Sequence, residues 1–445
     1  MLLLLLIAAC RGGEEELMAF GQRCGDAEDG APDVRSLPGG QRLAWSGASR
    51  VWALISGCDQ PVLVWDGEGE ALSVEWSADG AELAFISDGR VLVVASDQAG
   101  VRAEFEGSAY SWLPDGRLFL ERPGEPQGGV GSVADPSTGT VKDVVTAYGS
   151  KFWPSPDGSL TAYANYEDCP PGSIPAGAPT DYHCSTIWVS AIDGTDEHKL
   201  VGIADMLDAV PDDVHLIQGM IYPVDLQWSN TGQWLMFRTC GISASLCLDE
   251  RYVFEIRPDG TGLHYVSDTV GSIDWSPDDS RYILVQEGGR YYDAYPRPMT
   301  VRTPGSDDAD VTSPADVEDR EPQWSPDGEQ VVFVSSPSIR TGVCQLCPPE
   351  VPEQGIWITD GEVRTQLTSS PEWQDTSPAW SRDGEWILFI RNGPEYTENQ
   401  GFARTGLWMM RRDGSDQHMV ANPSQIIVDE LPGGRTLSYD WWTAQ

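Results

Sequence analysis

Nine cysteines and five histidines are the residues of this 445-residue chain best equipped for chemistry, and their spacing limits what that chemistry can be. Cys344-Gln345-Leu346-Cys347 has the gap of a redox-active dithiol, or of half a zinc site. No second CxxC and no thioredoxin-like βαβ pattern accompanies it, so a disulfide is the expected state. The histidines, His183, His198, His215, His264 and His418, are widely separated, with no HxH or HExxH pair, so neither a metal ion nor another cofactor is expected. No Gly-x-Ser-x-Gly elbow offers a nucleophile. Carboxylates are everywhere, but the separation that a glycosidase pair requires is not written in a linear sequence.

The other cysteines fall into local sets. Cys169 and Cys184 bracket one inter-strand loop, Cys240 and Cys247 another, and Cys344 and Cys347 a third. These three local pairs are predicted, with Cys24–Cys58 stapling the N-terminal segment to the body, as suits an exported chain. Cys10 stands apart, behind Leu2 to Leu6 and Ile7-Ala8-Ala9. That apolar run is far too short to span a bilayer as a helix. Small residues after an apolar core read as a secretory signal over residues 1–9, although no Lys or Arg precedes the leucines. Ile-Ala-Ala-Cys resembles a bacterial lipobox, which implies a lipid on the Cys10 sulfur and a lipoprotein facing the periplasm or cell surface. Residues 10–40, acidic and rich in glycine, are expected to be a flexible tether. Arg11 stands where an inner-membrane retention signal would carry Asp, which points to the outer membrane.

Charge excludes some partners. With 28 basic and 69 acidic residues the formal net charge is −41. Such a surface repels nucleic acid and anionic head groups, and no Lys/Arg cluster offsets it. Contact with a membrane is therefore expected through the lipid alone.

The elements that must position everything else come from a repeat. Trp324-Ser325-Pro326-Asp327-Gly328, followed by Val331-Val332-Phe333-Val334, reads as a strand, a tight turn and a second strand. Copies start at Trp76, Trp112, Trp228, Trp275 and Trp380, and another is Ser155-Pro156-Asp157-Gly158 behind Trp153; Trp45-Ser46-Gly47-Ala48 reads as a degenerate first copy. Beyond the turn the same slot holds Phe85, Tyr163, Phe237, Phe333 or Phe389, with Leu284 in one copy. A second Asp-Gly turn follows in many units, at Asp193, Asp259, Asp360 and Asp413. Each unit thus reads as four antiparallel strands, A to D, and sheets of this kind bury both faces only by stacking around an axis. An all-β propeller over residues 41–445 is predicted, as a single domain. Eight blades are expected, or seven if the weak first unit is absorbed into closure. The strand near Leu437 to Trp442 is expected to close the ring.

These Trp-Ser-Pro-Asp-Gly turns resemble the TolB-type propeller repeat, a relative of the WD-repeat propellers. The resemblance implies a non-enzymatic role in the cell envelope, with a protein or peptide as partner. The α/β domain that usually precedes the propeller in that family is not expected within these 445 residues.

Strand alternation puts the A–B and C–D turns on one face and the B–C and D–A connections on the other. Long insertions fall in the second group, at 166–184, 240–250, 287–296, 336–354 and 391–404 between B and C, and at 202–224, 304–320 and 421–435 between D and A. A short helix is expected near Met206 to Ala209. Arg290, Tyr291, Tyr292, Tyr295 and Arg297 cluster in one such loop, with Trp373 and Tyr396 in others, and these residue types dominate interfaces. They are the candidate partner-binding residues. A carbohydrate-active or metal-dependent enzyme with its site in the central channel is the alternative.

Overall fold

The computed structural model describes residues 37–47, 50–67, 69–98, 100–124, 128–147, 151–169, 183–211, 222–240, 251–268, 270–286, 298–314, 316–337, 354–371, 373–393, 396–397, 401–402, 406–421 and 439–443. Among them are eight four-stranded antiparallel sheets, and the chain is an eight-bladed β-propeller. Six blades use strands consecutive in sequence, and blade 8 does so apart from a two-residue strand pair, Tyr396–Thr397 with Gly401–Phe402, set between its second and third strands. Blade 1 does not: its order is Tyr439–Thr443, Gln41–Gly47, Arg50–Ile55, Val62–Asp66, so the last strand supplies the innermost position.

That closure corrects the reading of the first repeat. Gln41–Gly47 is strand B of blade 1, and Trp45-Ser46-Gly47-Ala48 lies where strand B leads into strand C. It is not a copy of the A–B turn. The physical reason is the ring itself: an open inner edge would leave a row of unpaired backbone groups, and Tyr439–Thr443 fills it. Trp441 and Trp442 then hold the hub position that Trp45 was expected to take.

A second correction concerns residues 304–320. Ala309–Val311 is the outer strand of blade 6, paired with Met299–Arg302, and strand A of blade 7 begins at Val317. Only 312–316 connects the two blades. The helix in the D–A connection of blade 4 is Ile203–Ala209; Asp205 accepts from the Gly202 amide at 2.8 Å, and Ile203 and Met206 are buried in the core of blades 4 and 5.

The repeat motif explains its own turn. In blade 7 the Ser325 amide donates to Gln330 O at 2.7 Å, and Gly328 N returns to Ser325 O at 2.8 Å. The Asp327 carboxylate takes the Glu329 amide at 3.0 Å, and Ser325 Oγ accepts from Gln330 N at 2.9 Å. Gly328 sits at φ 69°, a left-handed conformation that glycine adopts without a Cβ penalty. The downstream aromatics Phe85, Tyr163, Phe237, Phe333 and Phe389 are fully buried between sheets, as is Leu284. Each stabilises the stack by roughly 1.5–3 kcal/mol of transfer free energy.

Candidate functional site

The hub is built by strand A of every blade: Tyr439–Thr443, Leu72–Trp76, Ala109–Trp112, Phe152–Pro154, Tyr222–Trp228, Val270–Trp275, Val317–Trp324 and Gln374–Trp380. Four of the repeat tryptophans bridge neighbouring blades. Trp76 Nε1 donates to Asp440 O at 3.2 Å, Trp112 Nε1 to Glu75 O at 3.1 Å, Trp228 Nε1 to Trp153 O at 2.8 Å and Trp380 Nε1 to Gln323 O at 3.2 Å. Each acceptor belongs to the previous blade and immediately precedes its own tryptophan position (Pro154 holds that position in blade 4).

Carboxylates line the same strands. The Asp440 carboxylate accepts from the Trp76 amide at 2.7 Å, Asp274 from the Trp324 amide at 2.6 Å, and Glu321 from the Ser377 amide at 2.6 Å. All three reach forward from one blade to the next. Glu321 and Ser377 both have positive φ, 53° and 52°, and Ser73 matches them at 54° in blade 2. Each sits three residues before its tryptophan, in a bulge that shifts the A–B register.

Burial sets the electrostatics here. It pushes the Glu75 carboxyl up to about 8, with the charge of Asp440 adding to the effect. Asp274 is pushed up to about 7 by burial, against its amide hydrogen bonds. Asp440 is raised for the same reason. Burial, followed by Glu321 and Asp440, raises Tyr439 to about 12. Arg320 is the one basic side chain among the described residues of these strands, and it donates to Gln354 Oε1 at 2.7 Å. Glu75 is a proton donor near neutral pH, while Asp440, Asp274 and Glu321 are acceptors that join blades. Among the described residues no group of three His, Cys, Asp or Glu is arranged to hold a metal ion.

Toward the long-loop end of strand A the charges are paired. Asp319, fully buried, takes a bidentate contact from Arg364 at 2.9 and 2.8 Å, and Arg364 also stacks 4.6 Å from the Phe333 ring centroid. One blade on, Asp375 is held by Arg391 Nε at 2.7 Å and Nη2 at 2.8 Å. Both acids stand five residues before their tryptophan.

The long B–C connections belong to blades 4 to 8, between strands ending at Asp168, Cys240, Gln286, Pro337 and Asn392 and strands starting at His183, Arg251, Met299, Gly355 and Gly406. In blades 1 to 3 the corresponding links span only 48–49, 88–89 and 124–128. The elaboration therefore covers one arc of the face. Arg290, Tyr291, Tyr292, Tyr295 and Arg297 lie outside the described residues. Trp373 is half-buried just before strand A of blade 8. Tyr396 lies in a two-residue strand, Tyr396–Thr397, paired with Gly401–Phe402 inside the blade 8 connection. Cys169 and Cys184 are disulfide-bonded with Cα atoms 5.0 Å apart, and Cys58 is disulfide-bonded as well. Cys10, Cys24, Cys247, Cys344 and Cys347 lie outside the described residues; Cys240 ends strand B of blade 5.

The hub acids were absent from the sequence-based candidates. Their signal was present, since Asp or Glu directly precedes the tryptophan at Glu75, Asp274 and Asp440.

Solved structures provide the comparison. A candidate dipeptidyl aminopeptidase IV from Bacteroides ovatus is 10% identical, with a TM-score of 0.51 over 92% of this chain and 62% of that one. The likeness is one of fold. A candidate TolB from Agrobacterium tumefaciens is 15% identical, with a TM-score of 0.34 over 86% of this chain and 89% of its own. An oligogalacturonate lyase from Vibrio parahaemolyticus is 11% identical, with a TM-score of 0.46 over 83% and 90%. No family model and no curated protein matches the chain. A shared architecture does not carry an activity with it.

Proposed function

We propose that this propeller is a non-enzymatic scaffold that holds a protein or peptide of the cell envelope on its long-loop face, anchored by a lipid on Cys10. The asymmetry between its faces is the observation that carries this reading. The A–B turns are short and saturated with their own hydrogen bonds, as at Asp327, whereas the long connections leave from the opposite face over an unbroken arc of five blades. Insertions gathered on one face of a repeat protein are the usual material of a binding surface. Arg290, Tyr291, Tyr292, Tyr295, Arg297, Trp373 and Tyr396 are the residues proposed to meet the partner.

The test is chemical cross-linking in envelope fractions, followed by pull-down. The intact chain is expected to recover a reproducible partner that is lost when Arg290, Tyr291, Tyr292, Tyr295 and Arg297 are replaced together by alanine. Recovery of no partner, together with turnover of a glycan that Glu75→Gln abolishes, would reverse the assignment in favour of a channel enzyme. The anchor is tested separately: Cys10→Ser is expected to abolish lipid labelling and release the protein from membranes.

A further inference from the structure

Blades 5 and 6 meet through both nitrogens of one imidazole. His264 opens strand D of blade 5, His264–Asp268, and its Nδ1 lies 2.9 Å from Glu255 Oε1 while its Nε2 lies 3.0 Å from Asp307 Oδ1. Glu255 is on the neighbouring strand, Arg251–Ile256, with no exposed surface, and Asp307 is in the C–D link of blade 6 with its side chain 98% exposed. Gly305 N, in the same link, donates to Glu255 Oε1 at 2.6 Å.

A neutral imidazole carries one N–H and can satisfy only one carboxylate, so the other contact would set lone pair against lone pair. The protonated ring satisfies both. We propose that His264 is held as an imidazolium staple that fastens blade 5 to the C–D link of blade 6 and releases that link as pH rises.

Other groups at the seam fit this assignment. His264 and the Gly305 amide donate to this buried carboxylate, and the Tyr282 hydroxyl of blade 6 lies against it as a further donor. A buried charge without such compensation is costly. Tyr282 and Arg302 of blade 6 face the Glu255 side of the seam, and Arg302 Nη1 donates across it to Val266 O at 3.1 Å. Arg257, beyond the end of the Glu255 strand, is occupied 4.3 Å over the Trp234 ring centroid. The hydrogen bond that His264 donates to Glu255 raises its titration against the opposing effect of burial, and Asp307 raises it further. A histidine raised in the fold contributes stability in full below its unfolded value, about 6.5, and loses it as pH rises through the folded value. Asp307 is the natural release point, because it is the exposed partner and Glu255 keeps the Gly305 amide.

Ring 15N chemical shifts of His264 in the full chain test the proposal. Both nitrogens are expected to remain protonated at pH values above the midpoint of a free histidine, about 6.5. Asp307→Asn, at an exposed side chain, is expected to lower the proton affinity of the ring severalfold. A ring midpoint at or below that of a free histidine, or one unmoved by Asp307→Asn, would overturn it.

Discussion

Asp279 of blade 6 accepts hydrogen bonds from both the amide and the hydroxyl of Thr231 in the turn of blade 5. Thr231 stands where most repeats carry the turn aspartate, and Asp279 stands where they carry the turn glycine. The two departures fit one another: Thr231 N donates to Asp279 Oδ2 at 3.0 Å, its hydroxyl donates to the same oxygen, and Asn230 Nδ2 donates to Trp275 O at 2.9 Å. Asp279 holds this position at φ 58° although it has a Cβ.

Restoring the repeat residue at that position should therefore harm the protein. Asp279→Gly relieves about 1 kcal/mol of left-handed backbone cost. It also removes two hydrogen bonds to a charged acceptor, each worth about 1.5–3 kcal/mol. Net destabilisation of about 2–5 kcal/mol is expected in urea denaturation. A variant as stable as the parent would show that the cross-blade bonds contribute nothing.

The Asp319–Arg364 pair is buried, and breaking it strands a charge. Asp319→Ala is expected to cost about 3–5 kcal/mol, and Asp375→Ala, which strands Arg391, a similar amount. The Arg90–Glu104 pair is half-exposed, and Glu104→Ala should cost under about 1 kcal/mol. Equal losses at the three sites in thermal melts would contradict this ranking.

Stability should fall with rising pH through the hub. A carboxyl raised in the fold binds its proton more tightly there than in the unfolded chain. Its contribution is complete below the unfolded value, about 4, and disappears as pH passes about 7 for Asp274 and about 8 for Glu75. The turn acids act at the other end. Three hydrogen bonds, from the Ser280 hydroxyl and amide and from Ser276, hold Asp278 at about 2, and Asp327 also lies at about 2, where Arg412 and Ser325 outweigh its burial. Their contribution is lost only as pH falls toward that value. Tm is expected to decline between about pH 5 and 9, less steeply in Glu75→Gln. Parallel profiles for parent and variant would remove Glu75 from the explanation.

Two glycines separate backbone freedom from close approach. A Cβ on Gly80 would come within 2.5 Å of the Trp442 ring, whereas one on Gly116 meets nothing within 4 Å. Both have positive φ, 67° and 82°. Gly116→Ala should cost about 1 kcal/mol, from the backbone alone. Gly80→Ala should cost a further 1–3 kcal/mol, roughly, because it forces apart the closing strand and blade 2. Similar losses at both positions would mean that the Trp442 contact yields freely.

Much of the propeller was legible in the sequence because its causes are local. The Pro-Asp-Gly turn needs only its own serine, carboxylate and amides, and the aromatic slot at Phe333 or Phe389 needs only the two-residue period of a strand. The unit boundaries followed from those two signals. Trp45 misled because the same local chemistry serves a B–C junction, and 304–320 because Ala309–Val311 is too short and polar to read as a strand.

Sequence by itself thus determined the blade, its turns and the face on which the long connections leave, since strand alternation follows from short-range backbone rules. Tertiary structure decided what depends on partners distant in the chain: that Gln41–Gly47 is the second strand of blade 1, beside the closing strand that the sequence already marked, that Asp440 serves Trp76, and that His264 lies between Glu255 and Asp307. Hydrogen bonds and burial across a blade boundary are set by which side chains of different repeats meet, and no local pattern encodes that.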